Sequence, residues 1–425
     1  MKILATSDWH LGNLFHSIDR LPEHNHFLHW LQEMIASLCP DVLLVAGDVF
    51  DNGNPSAAAQ ELYYAFLADV TAQNPDLHIV ITAGNHDSAY RLEAPRSLLR
   101  RHHIEVRGVV HRQWETTEEC PEGRWTIDLD DMIVPVTLSD GRQLVVLAIP
   151  FLRPDVLHGD SYSSAVNQLL SDVTKLAKEK YPDVPCVMMA HMYAAGADIA
   201  KDSSERIVIG GQEQVSMEGL SAEHPDYFTC GHIHKRQHIW NTDWARYSGS
   251  VLPMSFAECE YHHGVDLIEV EAGQKPQVTF VEYEPQHKLL SLPKEGAAEL
   301  KELKKLLSQL DNRTDGQLDE HSVYLEVKLL SSQIKPEDRS VIEEIVSRKN
   351  AVFCRLQQVM PDADIQTILG QQQIQSVEDV INRDPFDAIQ ECFAVRNNNE
   401  KLSPDQEKLV RDVLSRIDIY NAKLY

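Results

Sequence analysis

Five times in the first 234 residues a short apolar run ends in aspartate, asparagine or histidine. KILATS leads into Asp8-Trp9-His10, DVLLVAG into Asp48, and LHIVITAG into Asn85-His86-Asp87. VPCVMMA leads into His191, and DYFTCG into His232-Ile233-His234. A run that stays apolar at every position, rather than at every second one, reads as a strand covered on both faces. Residues 24–38 carry Phe27, Leu28, Leu31, Met34, Ile35 and Leu38 at helical spacing, and helices are also expected near 56–71 and 161–180. Strands alternating with helices make an α/β layered domain. Ligands of open α/β sheets bind beyond the carboxyl ends of the strands. Motifs far apart in the chain are therefore expected to converge.

QLVVLAIP (143–150) and ARYSGSVLP (245–253) read as further strands and GVDLIEVEA (264–272) as an edge strand, so the layered domain is expected over 1–280. Composition shifts after about residue 283. An amphipathic charged helix at 295–310, strands at 322–330 and 351–359, and a helix at 335–348 opened by Pro336 make a small βαβ-like module over 285–362. Residues 361–375, rich in Asp and Gln, read as a linker. Two amphipathic helical patterns follow, 376–395 and 403–422, the second with Ser403 as N-cap and Pro404 in the first helical position. Such a pair buries little alone, so 376–425 reads as a docking element for another protein.

The net charge of −26 argues against a chain that grips nucleic acid by its own bulk electrostatics. It does not exclude a nuclease, because bound divalent cations place positive charge where a phosphate must sit, and a basic partner can supply the rest. Seven scattered cysteines without a CxxC pair fit reduced thiols rather than a disulfide framework or a structural zinc site. Asp8 arrives too early for a secretory signal, and no run approaches the roughly 20 apolar residues of a membrane span. A cytoplasmic protein with no membrane contact is expected.

The five motifs supply carboxylates, imidazoles and one amide, with no thiolate. That set suits Mn²⁺, Fe²⁺ or similar ions in octahedral geometry better than structural zinc. Singly, each motif is weak: Asp-x-His can be a loop cap with a surface histidine, and Gly-Asp is often a turn. GNHD and GHIH are more telling, since four such residues at a strand end seldom serve packing. Two cations about 3.5–4 Å apart need a shared ligand to offset their repulsion, and Asp48 is the natural candidate. The glycines before Asp48, Asn85 and His232 are expected to let the backbone turn sharply.

Together, DxH, GD, GNHD, a lone His after a strand and GHxH resemble the signature of the calcineurin-like metallophosphoesterases. SDWHLG (7–12), GDVFDNGNPS (47–56), AGNHDS (83–88), GHIHKRQ (231–237) and YSGSVLPMSF (247–256) resemble, more narrowly, the bacterial SbcD family of nuclease subunits, and the likeness runs over the whole chain. The resemblance implies a four-layer αββα sandwich with a small α+β capping domain and a C-terminal helical tail. It implies two divalent ions, most readily Mn²⁺: Asp8, His10, Asp48 and His234 on the first, Asp48, Asn85, His191 and His232 on the second. His86 would be the catalytic histidine, beside the ions but not a ligand. Asp87 is expected to orient His86 by a hydrogen bond, with capping of the loop as the alternative. Asp51 stands where some relatives carry a second functional histidine and is assigned no catalytic role.

The resemblance further implies hydrolysis of DNA phosphodiesters in repair and recombination, as a 3′-to-5′ exonuclease on double strands and an endonuclease on single strands and hairpins. It implies a homodimer within a heterotetramer with an SbcC-type ATPase. The dimer helices would lie near 54–71 and 89–101, 285–362 would guide DNA, and 376–425 would dock on the ATPase. The remaining histidines have plainer readings. His24, His26 and His29 sit at helical spacing and fit packing or surface positions, and His262-His263 fit a turn. His102-His103 extend the basic pair Arg100-Arg101, as a solvated helix end or a contact to DNA backbone. Trp9 is expected to pack beneath the site. Two other functions compete. A phosphoesterase acting on a small nucleotide or phosphoprotein would not need the cap and the tail. A non-catalytic scaffold would have lost ligands, yet all seven and His86 are present.

Overall fold

The apolar runs fold as strands, and alternate side chains on each face different partners. In the computed structural model the strands of two six-stranded sheets are β1 (Lys2–Thr6), β2 (Val42–Ala46), β3 (His78–Thr82), β4 (Ile104–Arg107), β5 (Ile133–Thr137), β6 (Gln143–Ala148), β7 (Cys186–His191), β8 (Tyr227–Gly231), β9 (Gln237–His238), β10 (Ala245–Tyr247), β11 (His263–Glu269) and β12 (Gln277–Tyr283). Their orders are β12-β11-β1-β2-β3-β4 and β9-β10-β8-β7-β6-β5. β1 to β4 run parallel, with β11 antiparallel to β1 and β12 antiparallel to β11 on one side. In the second sheet β6, β7, β8 and β10 are parallel.

Ile3, Ala5, Val42, Leu44 and Ala46 meet Val146, Ala148, Val187 and Met189 between the sheets. The intervening residues Leu4, Leu43 and Val45 face α1 (Leu21–Leu38) and α2 (Ala57–Gln73), where Phe27, Leu31, Tyr63 and Phe66 cover them. On the other side, Val166, Leu170 and Val173 of α3 (Tyr162–Lys180) cover Val145, Leu147, Met188 and Phe228. Each such aliphatic, fully buried, contributes roughly 1.5–3 kcal/mol, and both faces of each central strand are used. This is the expected αββα sandwich. Ser56 and Ser161 cap α2 and α3 by accepting from the Ala59 and Ser164 amides. α1 begins at Leu21, ahead of the expected 24, because Pro22 fits the first turn.

A third sheet joins β13 (Leu289–Leu292), β14 (Val323–Leu330) and β15 (Ala351–Val359) in that order, with α4 (Leu300–Ser308) and α5 (Pro336–Val346) as the connections. β14, β15, α4 and α5 are elements expected within 285–362, α4 being shorter at both ends than the expected 295–310, whereas β13 was not expected from the sequence. Phe15, Phe256, Leu289 and Tyr324 share one apolar cluster, with Phe15 stacked on Tyr324 at 5.6 Å between ring centroids. The strand expected over 245–253 stops at Tyr247. β4, β5, β12 and a hairpin of Arg112–Glu115 with Arg124–Ile127 were not expected from the sequence.

The structure describes residues 1–116, 121–157, 161–200, 214–216, 220, 224–361 and scattered positions from 386 to 413. They divide into two compact units, Met1–Leu329 with Lys335–Gln357, and Leu330–Ile334 with Gln358–Tyr425. The linker expected at 361–375 and the helix expected at 376–395 lie almost wholly outside the described residues, whereas within the helix expected at 403–422 the described positions 404, 406–411 and 413 are helical, with the Gln406 amide donating to Ser403 Oγ at 3.4 Å. Among the described residues, no helix is long and apolar enough to cross a membrane.

Candidate metal centre

Strand register brings the motifs to one edge. Thr6 pairs with Val45, Ala46 with Thr82, and His191 with Gly231, so the carboxyl ends lie level within each sheet. Just past these ends the chain turns sharply. Asp8, His10, Asp48 and His232 all have left-handed backbone, with φ of 52°, 47°, 49° and 97°. A non-glycine residue there costs of order 1–3 kcal/mol and persists only where its surroundings enforce it. Here the loops tie to one another: the Asp8 amide donates to the Gly47 carbonyl at 3.1 Å and the His10 amide to the Asp48 carbonyl at 3.0 Å.

All seven expected ligands gather around Asp48. Its Oδ2 lies 3.3 Å from His191 Nε2 and 3.7 Å from His10 Nε2. Asn85 Oδ1 lies 2.9 Å from His191 Nε2 and 3.0 Å from His232 Nδ1. Asp8 accepts from the His232 amide at 3.0 Å, and Asp8, His10 and His234 form one cluster of donors close enough to share an ion. Asp8, Asp48 and His191 form a second such group. The donors fit bound cations. Both ring nitrogens of His10 are buried without a hydrogen-bond partner, and a buried polar atom left so costs about 1–3 kcal/mol unless a ligand takes it.

Electrostatics sort the ligands. Burial alone would raise Asp48, but His191 and His10 beside it hold its carboxyl well below the usual range. Burial lowers His10 well below its ordinary value and takes His232 to about 3. Burial also pulls His191 down, yet Asp48 and Asp8 more than offset it, raising it to about 9. At neutral pH, His10 and His232 are ready to bind and His191 carries a proton that an ion must displace. Cation affinity of the metal-free protein should therefore rise about tenfold per pH unit up to about pH 9 and level off above it. Calorimetric titrations between pH 7 and 10 check this, and a flat profile would contradict it.

His86 sits at the rim, its ring centroid 4.9 Å from that of His10 and its amide donating to Asp48 Oδ1 at 2.9 Å. Its Nδ1 faces the Asp51 carbonyl at 2.8 Å, so Asp51 orients it through the main chain. The expectation that Asp87 orients His86 is corrected. The Asp87 carboxylate accepts from the amides of Val49, Phe50 and Gly84 at 3.1, 2.9 and 2.9 Å, which is the loop-capping alternative. The glycines also act differently from expectation. Gly47 turns, with φ +83°, but Gly84 and Gly231 are needed for close approach. A Cβ at Gly84 would lie 2.1 Å from Asp48 Oδ1, and one at Gly231 would lie 2.1 Å from the Ala46 carbonyl. Gly84→Ala should cost about 1–3 kcal/mol of stability and weaken cation uptake, as thermal unfolding with and without Mn²⁺ would register. An unshifted midpoint would count against the packing seen here.

The other histidines stay apart from the centre. His24 is buried in α1, His26 meets the Tyr283 hydroxyl at 2.8 Å, and His29, His102 and His103 are exposed. Trp9 packs beneath the centre as expected, edge-on to Phe66 and donating to Thr6 Oγ1 at 3.0 Å. One buried carboxylate was not expected from the sequence: Glu258, in the short turn Phe256–Glu258, reaches His234 Nδ1 at 3.3 Å. It lies just past YSGSVLPMSF, so the segment was visible but its role was not.

A sequence profile described as calcineurin-like phosphoesterase matches residues 1–236. A relative from Rhodobacter capsulatus, named as the D subunit of the SbcCD nuclease, is 36% identical over 328 residues, covering 73% of this chain and 76% of its own. Proteins of the same name from Escherichia coli K12 and Bacillus subtilis 168 are 33% identical (65% of this chain, 67% of theirs) and 32% identical (65% and 68%).

Proposed function

Because the chain belongs to the calcineurin-like phosphoesterases and, within them, to the SbcD family of nuclease subunits, we propose that it is the metal-dependent DNA nuclease subunit of an SbcCD-type complex. The observation that carries this reading is the convergence of seven donors from five strand ends around Asp48, with His86 beside them. Asp8, His10, Asp48 and His234 would hold one divalent ion, and Asp48, Asn85, His191 and His232 the other. Bound there, the ions would activate water near neutral pH and offset negative charge on the phosphate. The absence of thiolate from the donor set favours Mn²⁺.

The chain's own residues hold this arrangement. The Ala46 carbonyl accepts from His191 Nδ1 at 3.0 Å, which leaves Nε2 for the centre. The Asp51 carbonyl does the same for His86. With its Nδ1 proton retained by that carbonyl, protonated His86 can pass its Nε2 proton to the leaving oxygen. Asp87 keeps the loop carrying His86 in place and is not itself in contact with the reaction.

The substrate class is DNA, cut as a 3′-to-5′ exonuclease on duplex ends and an endonuclease on single strands and hairpins. A groove lined by His16, Met254, Ser255, Lys328 and Arg355, with Glu326 paired to Lys328 and Arg355 at 3.7 and 3.4 Å, supports a DNA-guiding role for 285–362. The net charge of −26 supports dependence on an SbcC-type ATPase, docked through 376–425. Tyr64, Tyr90 and Leu98, respectively 38%, 78% and 63% exposed, support a homodimer built on 54–71 and 89–101. Arg91 joins those segments by donating to Asn54 Oδ1 at 2.8 Å. The complex would act in the cytoplasm.

Anomalous diffraction from Mn²⁺-soaked crystals tests the centre. Two peaks about 3.5–4 Å apart astride Asp48 are expected, and a single peak or peaks elsewhere would overturn the ligand assignment. A chain ending at 375 should lose ATPase binding yet still hydrolyse an aryl phosphodiester. Retained binding would remove the tail from the docking surface.

A further inference from the structure

We infer that Glu258 is the positioning residue that determines which nitrogen of His234 the metal centre receives. The inference rests on the two-ion reading above. Glu258 is wholly buried, at 0% exposure. Its Oε2 accepts from the Met254 amide at 2.8 Å, and its Oε1 accepts from the Ser255 hydroxyl at 3.1 Å and faces His234 Nδ1 at 3.3 Å. A carboxylate only accepts, so it keeps the proton on Nδ1. Nε2 is then the nitrogen that carries the lone pair a cation needs, and His234 shares one donor group with Asp8 and His10.

The other tautomer would put a lone pair against the carboxylate and an N–H against the ions. The Ala46 carbonyl lies behind His191 and the Asp51 carbonyl behind His86, and the Asp51 carboxylate stands 3.7 Å from His10 Nδ1. His234 has a wholly buried carboxylate behind it, at 3.3 Å. A carboxylate raises the basicity of the ligand as well as fixing its orientation. It also ties the centre to the 254–258 turn, whose Met254 and Ser255 line the groove beside Lys328 and Arg355. Glu258 therefore joins the wall of the groove to one ion site.

The test uses the full chain, stripped of metal by chelation and titrated calorimetrically with Mn²⁺, with side-chain ¹⁵N spectra of its histidines. Wild type should bind two ions and show His234 protonated at Nδ1. Glu258→Gln should weaken one ion by about 10–100-fold, leave the other unchanged and shift His234 away from the Nδ1–H form. The thermal midpoint of the metal-free variant should stay near that of wild type. Ser255→Ala, which removes a different bond to the same carboxylate, should leave both affinities intact. Should Glu258→Gln fail to fold, Glu258→Asp, whose carboxylate is drawn back from His234, carries the same expectation. Unchanged affinities with an unchanged His234 signal would overturn the inference, as would weakening of both ions together with a collapse of metal-free stability. Either result leaves the two-ion reading standing. A wild-type chain that binds fewer than two ions overturns that reading, and this inference with it.

Discussion

Asp48→Ala is expected to lower DNA cleavage by at least about a thousandfold, roughly 4 kcal/mol of barrier. Asp48 is nearly inaccessible, and its carboxylate faces His191 and His10 while also accepting the His86 amide. On the proposed two-ion reading, removing it would take away the shared ligand and, with the His86 amide contact, the anchor of the loop that carries His86. Calorimetry should show fewer than two Mn²⁺ bound. In the metal-free variant His191 should titrate well below its present value of about 9, because Asp48 is the leading group opposing its burial. An Asp48→Ala protein that still binds two ions and cuts DNA at the wild-type rate would remove this residue from the centre.

His86→Gln separates chemistry from ion binding. His86 lies beside His10 and Asp48, but its Nδ1 is committed to the Asp51 carbonyl. The substitution should lower the rate about 10²–10⁴-fold, the usual contribution of general acid catalysis, and leave Mn²⁺ stoichiometry at two. If ion binding falls together with the rate, His86 is a ligand rather than the acid.

Much of this centre could be read without coordinates because central strands buried on both faces leave no polar position before their ends. VLLVAG and VPCVMMA are apolar throughout for that reason, and the Asp48 and His191 that follow them stand out. The missed strands lie at sheet edges: β4 and β12 close the first sheet and β5 the second. There one face or one hydrogen-bonding side is open, so QVTFVEY alternates and IVPVT tolerates Pro135. The role of Asp87 was ambiguous because a carboxylate after a histidine can orient it or cap the loop, and only the amides of Val49, Phe50 and Gly84 decide. Glu258 was missed because it sits in a short turn, follows no apolar run and acts through His234.

DNA cleavage by the purified chain tests the nuclease assignment most directly. Hairpin-ended duplex and an aryl phosphodiester would be incubated with Mn²⁺, with and without an SbcC-type ATPase and ATP. DNA should be cut, the partner and ATP should raise the rate, and chelation should abolish cutting. Hydrolysis of the aryl ester with DNA left intact in the presence of the partner would contradict the nuclease assignment while sparing the metal centre.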